Sequence, residues 1–329
     1  MKRFLSLIVG TLSVFAASAQ QDPQFTQNMF NRLSVNPAYA GSTGDICATI
    51  IAREQWMGFE GNPRTNLFSA EGGFKLRQKH QLGAGLTVIQ DEIGPIQSLN
   101  AKAAFSYHYK IKQGVLSLGL DLGIFNQSIN AQWRTSGGAS GFNFDGSDDP
   151  SIPNSEAGAT SFDLGAGLYY YNRDMYVGVS STHLNQPEIS DDPDQTSSYT
   201  FQQVRHYYVM AGYYYELNSL FELQPSVFAK TDGVSTQLDL NTNVLYNDLI
   251  WAGLSYRLSD AVAFLSGVKL GNVGMLPDYL KPLSIGFAYD YNLSELSDYN
   301  DGSLEFMLNY CYKLQRPLKF ERYKSVRFL

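Results

Sequence analysis

Along most of the chain, apolar and polar residues alternate with a period of two, which is the spacing of side chains on a β-strand. In residues 116–124 every even position is aliphatic and every odd position is small or acidic. The alternation returns at residues 99–109, 162–170, 207–215, 238–246, 283–291 and 304–312. Many of these apolar faces end in Tyr or Phe, as lipid-facing surfaces do near the headgroups. The pattern therefore favours a membrane barrel over a soluble sandwich, whose apolar faces would point inward.

The alternation predicts an all-β fold, a transmembrane antiparallel β-barrel of about 14 strands. Strands are expected near residues 45–56, 66–75, 81–90, 97–110, 114–126, 160–171, 174–182, 204–216, 221–230, 236–246, 249–257, 262–270, 283–291 and 304–313. Tight connections such as residues 77–80 should face the periplasm, and the long polar connections 127–159 and 183–203 should face outward. The connection at 271–282 is longer than its periplasmic assignment predicts. An even strand number would place both termini in the periplasm.

The N-terminus predicts export through a signal peptide. Basic residues at positions 2 and 3 precede an apolar run, and Ala-Ser-Ala at 17–19 forms a small-x-small cleavage site, so we interpret residues 1–19 as that peptide. No later run approaches the ~18 apolar residues that a transmembrane helix requires. Charged residues make up 17%, against about 25% in soluble proteins, which supports an outer-membrane location. The net charge of −7 argues against a nucleic-acid partner.

The rest of the chain divides into three parts. Residues 20–44 are polar and lack a regular pattern, so we interpret them as a periplasmic N-terminal segment that could plug the barrel. Residues 45–313 form the barrel, and residues 314–329 form a basic periplasmic tail. We expect the tail to bind a protein in the periplasm through Phe320, Arg322, Tyr323 and Phe328. The alternative is an unstructured tail attracted weakly to anionic surfaces.

The predicted lumenal faces carry charge of both signs and many glycines. The charged residues are Arg53, Glu71, Lys102, Asp121, Asp163, Glu222, Lys230, Asp239, Arg257, Lys269, Asp290 and Glu305. With both signs present, no selectivity ring of one sign is predicted. The glycines are Gly83, Gly85, Gly119, Gly123, Gly165, Gly167, Gly178, Gly212 and Gly286. They either relieve curvature where the sheet closes or let a peptide segment, from this chain or a partner, approach the wall.

No constellation of catalytic or metal-binding residues stands out. No Gly-x-Ser-x-Gly motif is present, and no His or Cys cluster has the spacing of a zinc site. We therefore predict no enzyme, no cofactor and no metal, with a membrane-embedded lipase or acyltransferase of dispersed residues as the enzymatic alternative. We interpret the lumenal His108 and His206 as structural, and the acidic stretch 143–150 as a solvated loop rather than a calcium site.

The two cysteines define a candidate pair at the barrel seam. Cys47 begins the first predicted strand and Cys311 lies near the end of the last, so closure makes their strands neighbours. The alternation turns both side chains toward the lumen. A disulfide requires Cα atoms about 4.4–6.8 Å apart, which only directly opposed residues achieve. Since the register of the seam cannot be derived from the sequence, bonded and merely neighbouring cysteines both remain open.

A motif near the mature N-terminus carries a family resemblance. It comprises Asn36, Pro37, Ala38, Tyr39, Ala40 and Gly41, and it is followed by Arg53, Gln55, Trp56, Gly58, Phe59, Gly61 and Pro63. In this combination the residues resemble the opening signature of the PorP/SprF family of type IX secretion proteins. Similarity continues through residues 254–257 and 289–291 to 297–300, although 310–313 departs from the usual aromatic-Arg-Phe ending.

The resemblance implies an outer-membrane component of the type IX secretion system. Such a protein would support the export and surface anchoring of adhesin-like proteins, including those used in gliding. Its implied partners are the C-terminal region of a secreted surface protein, periplasmic components of the system and outer-membrane lipid. We expect the loop containing Trp56, Gly58, Phe59 and Pro63 to contact the exported partner, although Trp56 could equally be an interface aromatic. The alternative function is a passive porin or small-molecule transporter.

Overall fold

The computed structural model describes residues 22–77, 79–130, 156–190, 200–273 and 276–313. Its strands are β1 (Ile46–Glu54), β2 (Arg64–Arg77), β3 (His80–Ile93), β4 (Ile96–Lys110), β5 (Val115–Asn130), β6 (Glu156–Tyr171), β7 (Met175–Thr182), β8 (Glu188–Ser190), β9 (Thr200–Gln202), β10 (His206–Tyr213), β11 (Tyr215–Glu216), β12 (Phe221–Thr231), β13 (Thr236–Tyr246), β14 (Ile250–Arg257), β15 (Ala261–Lys269), β16 (Leu283–Asn292) and β17 (Ser303–Tyr312). The proposed signal peptide and the 314–329 tail lie outside the described residues.

The main sheet closes on itself. Consecutive strands pair with one another within β1–β7 and within β12–β17, and β1 pairs with β17. Closure on the other side comes from β10, which pairs with both β7 and β12. β11 continues β10 beyond Tyr214 and also pairs with β12, so the two count as one span. The predicted all-β, fourteen-stranded antiparallel barrel is confirmed.

Two local features differ from the expected strands. β5 and β6 extend to Asn130 and from Glu156, beyond the predicted limits at 126 and 160. β8 and β9 form a separate two-stranded sheet within the connection predicted only as a loop. Three-residue strands are too short for alternation to reveal them, which is the physical reason for that omission. The acidic stretch 143–150 lies outside the described residues.

The two faces of the wall meet different environments. On β5, Leu118, Leu120 and Leu122 retain 55%, 66% and 57% of their exposure, whereas Ser117 and Asp121 are buried. Apolar residues outside and polar residues inside are the pattern of a barrel surrounded by lipid. Ten of the twelve charged residues predicted to face the lumen are buried, while Glu222 and Lys269 are partly exposed at its rim.

The seam between the first and last strands carries a disulfide. β1 and β17 pair over their whole length, and their register places Cys47 directly opposite Cys311. The two cysteines are bonded, with Cα atoms 4.1 Å apart. Closure of the barrel and side-chain parity brought them to one face, as expected, and the register decides that they meet.

The segment before β1 fills the lumen. Residues 22–44, called the plug below, contain a 3-10 helix (Asn28–Phe30), the four-residue helix α1 (Arg32–Val35) and a second 3-10 helix (Pro37–Tyr39). No described helix is long and apolar enough to cross a membrane. The buried apolar clusters combine plug and wall; one of them contains Phe25, Ile51, Leu67, Leu245, Trp251 and Met307. The protein core therefore lies inside the barrel, between wall and plug.

The plug runs from one mouth of the barrel to the other. We call the end with the tight connections after β2, β4 and β6 the turn end, and the opposite end the loop end. The plug joins β1 at the turn end, but Asp22 lies at the loop end, bonded to Thr182 and His206. Lys313, just after β17, is at the turn end, so the described chain begins and finishes at opposite mouths. Strand parity fixes only where β1 begins and not the path before it, so the periplasmic location of the N-terminal segment stays a prediction.

Candidate functional site

The motif of residues 36–41 lies in the half of the plug toward the turn end. The Asn36 side chain caps the short helix Pro37–Tyr39, since its Oδ1 accepts from the Ala38 backbone N–H at 3.0 Å. Proline suits the first position of a helix, where its missing N–H would have no partner. The Asn36 Nδ2 atom meanwhile donates to the Leu168 carbonyl oxygen in β6 at 3.1 Å. One asparagine thus shapes the plug and fastens it to the wall.

Wall side chains satisfy the plug backbone in the next residues. Ser117 Oγ donates to the Ala38 carbonyl at 2.6 Å, and Ser106 Oγ donates to the Ala40 carbonyl at 2.6 Å. The Gly41 N–H donates to a Glu71 carboxylate oxygen at 2.8 Å. Buried backbone groups outside helices and strands need such partners. These bonds go to backbone atoms of the motif. They therefore fix the course of its main chain more than the positions of its side chains.

Glycines in the wall make room for this path. A Cβ atom at Gly83 would collide with the Ala40 carbonyl oxygen, and one at Gly119 would collide with Ala38. The same holds for Gly85, Gly167, Gly178 and Gly286, whose added Cβ atoms would press on Leu33, Asn36 or Gln27 of the plug. The remaining glycines of the predicted set, Gly123, Gly165 and Gly212, face residues of the wall. Close approach of the plug therefore explains the first six positions, and at the other three an added Cβ atom would meet the wall itself.

A buried ion cluster holds the plug near the loop end. Arg53 pairs with Asp290 at 2.8 Å and with Glu305 at 3.1 Å, and Arg257 pairs with Asp290 at 3.2 Å. The Thr26 N–H donates to Glu305 Oε2 at 2.7 Å, and its hydroxyl donates to Asp290. The Gln27 N–H donates to Glu305 Oε1 at 2.8 Å. The plug thereby adds hydrogen bonds to charges that four strands bury.

Between these two regions of the sequence, the plug inserts an arginine among tyrosines near the turn end. The Arg32 guanidinium lies 3.8 Å from the centre of the Tyr176 ring and 5.6 Å from that of Tyr39. It also donates to the hydroxyls of Tyr169 at 3.3 Å and Tyr214 at 3.2 Å. A cation over an aromatic face is attracted by the ring quadrupole. This contact holds α1 against β6, β7 and the residue between β10 and β11.

The first described residue of the plug lies among histidines. Asp22 Oδ1 is 2.8 Å from His183 Nε2, and the opposite nitrogen of His183 is 2.9 Å from Asp163 Oδ1. Burial alone would raise the pKa of Asp22, but His183, His206 and Lys102 hold that pKa well below its usual value. Burial alone would lower the pKa of His183, but the two carboxylates outweigh it and raise that pKa to about 9.

The predicted partner-binding loop is fixed to the neighbouring loop. The Trp56 N–H donates to Ser303 Oγ at 3.1 Å, and the Met57 N–H donates to the Gly302 carbonyl at 2.8 Å. Phe59 keeps 45% of its exposure, Pro63 is buried, and Gly58 has a φ of +90° against Asp301. The Gln55 N–H donates to the Pro63 carbonyl, and the Asn62 side chain donates to the Gln55 carbonyl, so these bonds close the loop. Phe320, Arg322, Tyr323 and Phe328 lie outside the described residues.

Sequence reasoning missed most residues that hold the plug. Asp22, Thr26, Gln27 and Arg32 were not identified as residues that hold the plug. The only signal in the sequence was indirect. The predicted lumenal faces carry charged residues and glycines that an empty, water-filled pore would not need. The residues 36–41 and Arg53 were identified by resemblance, and the structure brings both into contact between plug and wall.

The closed wall, its lipid-facing apolar surface and its self-filled lumen define an outer-membrane β-barrel plugged by its own chain. The model of the family described as "Type IX secretion system membrane protein PorP/SprF" matches residues 17–310. The protein therefore belongs to the PorP/SprF family, which confirms the resemblance, and it is located in the outer membrane. Membership in this family implies interaction with secretion components and cargo. Comparison with curated proteins gave no significant match.

Several solved barrels are similar in structure at low sequence identity. The toluene transporter TbuX of Ralstonia pickettii is 11% identical, with a TM-score of 0.49 over 87% of this chain and 94% of that one. The toluene transporter TodX of Pseudomonas putida is 11% identical, with a TM-score of 0.45 over 86% and 93%. The translocator domain of the autotransporter NalP from Neisseria meningitidis is 12% identical, with a TM-score of 0.44 over 88% and 94%.

Proposed function

We propose that this protein supports the export and surface anchoring of adhesin-like proteins, as a plugged interaction component of the type IX system. Gliding would be one process that depends on such proteins. The observation that carries the proposal is the plug, which occupies the lumen and is bonded to the wall from Asp22 to Gly41. A passive porin requires a water-filled lumen. The role requires no catalytic step.

Two measurements on the full-length protein test this function. We expect planar bilayers containing it to show no large steady conductance, and native membranes to yield it together with secretion components and a surface protein. A large steady current without co-purifying partners would instead support a passive porin. As a positive control for current, a variant lacking residues 22–41 should conduct if the barrel still inserts.

The loop-end surface around Trp56 is the proposed contact with the C-terminal region of the exported protein. Its backbone is fixed by bonds to Ser303 and Gly302, while Phe59 stays exposed beside it. Trp56→Ala and Phe59→Ala should each reduce surface display of the partner while heat-modifiability of the barrel on gels persists. The matched control is Phe162→Ala, because Phe162 is 77% exposed on the lipid-facing side. Equal losses of display and barrel stability would mean that Trp56 is only an interface aromatic.

The basic tail is the proposed contact with periplasmic secretion components. Deleting residues 314–329 should leave an inserted barrel but abolish co-purification of those components. Replacing Phe320, Tyr323 and Phe328 by Ser while keeping the basic residues separates aromatic recognition from simple charge attraction. Unchanged co-purification after the deletion would overturn this assignment.

The proposed orientation places the loop end at the cell surface and the turn end in the periplasm. Supporting it, the long connections 131–155 and 183–205 both leave the barrel at the loop end. Protease added to intact cells should cleave in these connections and leave the turn at residues 77–80 intact. Cleavage only after permeabilisation of the outer membrane would reverse the assignment.

A further inference from the structure

We propose that Asp22, His183 and His206 form a Zn²⁺ site that fastens the start of the plug to the barrel wall. One carboxylate oxygen and two imidazole nitrogens from these residues all lie within 4.8 Å of one another. Two imidazoles and a carboxylate, with water in a fourth position, are a donor set that Zn²⁺ takes in proteins. The three ligands come from the plug, from the residue after β7 and from the start of β10.

Both imidazole rings are already oriented for a metal. His183 Nδ1 lies 2.9 Å from Asp163 Oδ1, and His206 Nδ1 donates to the Val204 carbonyl at 2.9 Å. Metal-binding histidines typically use their second nitrogen in this way, bonded to a carboxylate or a backbone carbonyl. His183 Nε2 lies 2.8 Å from Asp22 Oδ1, and His206 Nε2 accepts a hydrogen bond from the Asp22 backbone N–H at 3.3 Å, which an ion bound at that nitrogen would replace.

A buried glutamine beside the ring of His183 supports the site independently. Gln203 is 5% exposed, and its Oε1 atom has no hydrogen-bond partner among the described residues. Its Nε2 atom lies 3.3 Å from His183 Nε2. Rotation of the amide would bring the unpartnered oxygen to the same place, where it could bind the ion or accept a hydrogen bond from a zinc-bound water. Without an ion, a buried acceptor of this kind carries a desolvation cost that no hydrogen bond offsets.

The charges around the site can accommodate a cation. When Zn²⁺ binds at His183 Nε2, it replaces the proton that this nitrogen holds toward Asp22. Lys102 is paired with Asp163 at 3.0 Å, and the Lys230 ammonium donates to the Asp22 carbonyl at 3.0 Å, so both lysines have oxygen partners. The Asp22 side chain keeps 22% of its exposure, which gives an ion access from the mouth. Tetrahedral coordination needs ligand atoms about 3.3 Å apart, so Asp22 and the rings must close in slightly.

The test uses the full-length protein, purified in detergent, freed of metal with a chelator and then titrated with Zn²⁺ alone. Metal analysis should find one Zn²⁺ per chain, and X-ray absorption should show nitrogen and oxygen ligands at about 2.0–2.1 Å. Losing a group that merely supports a ligand costs about 10–100-fold in affinity, so His206→Gln and Asp22→Asn should weaken binding at least that much. The matched control is His80→Gln, at the exposed turn end, which should bind as the unaltered protein does.

Each variant is checked for the folded barrel by heat-modifiability, and only folded variants are compared. Less than one tightly bound Zn²⁺ in the unaltered protein would overturn the proposal, whatever the variants do. So would equal binding by His206→Gln and His80→Gln, since the ion would then sit elsewhere. Neither result bears on the proposed role in secretion, which the display and co-purification measurements test separately.

Discussion

The two ends of the plug are held by different chemistry. At the loop end, Thr26 and Gln27 complete a buried cluster in which Arg53 meets Asp290 and Glu305. At the turn end, the path of residues 36–41 is fixed mainly by hydroxyl hydrogen bonds to its backbone and by wall glycines that leave it room. The first anchor depends on charge and the second on shape.

This difference predicts how each anchor fails. Removing one member of a buried ion cluster leaves its partners charged and unpaired in a site with little water, which is costly. Adding volume to a close backbone contact forces the plug away without changing any charge. Substitutions that break one anchor and spare the other can therefore separate their contributions.

The largest effect is expected from breaking the charge anchor. Arg53→Met keeps much of the side-chain volume but leaves Glu305 without its ion-pair partner, and it leaves Asp290 with Arg257 alone. We expect the free energy of unfolding to fall by about 3–5 kcal/mol. Urea unfolding in lipid vesicles, followed by tryptophan fluorescence, measures it. A loss below that of an exposed ion pair would show that the cluster does not anchor the plug.

A smaller effect is expected from breaking the shape anchor. Gly119→Ala puts a Cβ atom against the Ala38 backbone, and we expect a loss of about 1–3 kcal/mol together with increased bilayer conductance. The matched control is Gly72→Ala, whose added atom would make only ordinary contact with Ile46 at 3.6 Å. If both substitutions behaved alike, the space around Ala38 would not be what positions the plug.

Asn36→Ala sharpens the comparison, because it removes neutral bonds at the turn end without adding volume. It removes the helix cap at Ala38 and the bond to the Leu168 carbonyl. We expect a loss of about 1–2 kcal/mol. Asn126→Ala is the control, since Asn126 bonds Thr160 and the Ala159 carbonyl within the wall. Increased protease access to the plug in Asn36→Ala alone would assign the loss to the plug.

The smallest effect is expected from an exposed arginine on the neighbouring strand. Arg64 pairs with Glu54 at 3.2 Å, and their side chains are 63% and 43% exposed. Arg64→Met should cost less than about 1 kcal/mol, since water screens such pairs. The same unfolding measurement applies. A loss equal to that of Arg53→Met would mean that arginine content, rather than burial with the plug, sets the cost.

The wall could be predicted from the sequence, and so could a possible plug in residues 20–44, but the path of the plug could not. The alternation of apolar and polar residues, such as Leu118 and Ser117, indicates which face meets lipid. Every strand that spans the barrel was therefore predicted. Closure and parity were also enough to bring Cys47 and Cys311 together, although not to decide their register. The residues from Asp22 to Gly41 form only short helices and have partners far along the chain, so no local pattern encodes their path.

The aromatic residues illustrate the same limit. Those that end the apolar faces were interpreted as lying near the headgroups, and tyrosines such as Tyr107 and Tyr207 are exposed on the outer face. Tyr169, Tyr176 and Tyr208 are instead buried against the plug. A tyrosine on the lumenal face and one near a headgroup look the same in composition, and only the partner, Arg32 or Asp22, distinguishes them.

The disulfide at the seam has a consequence for the order of assembly. The plug is synthesised before any strand, and the pairing of β1 with β17 is the contact that finishes the cylinder. If the barrel closed first, residues 22–41 would have to be threaded into the lumen afterwards. At Gly83 and Gly119 the plug lies so close to the wall that not even a Cβ atom would fit between them. We therefore expect the sheet to form around the plug. The disulfide between Cys47 and Cys311 would then form only after the barrel has closed.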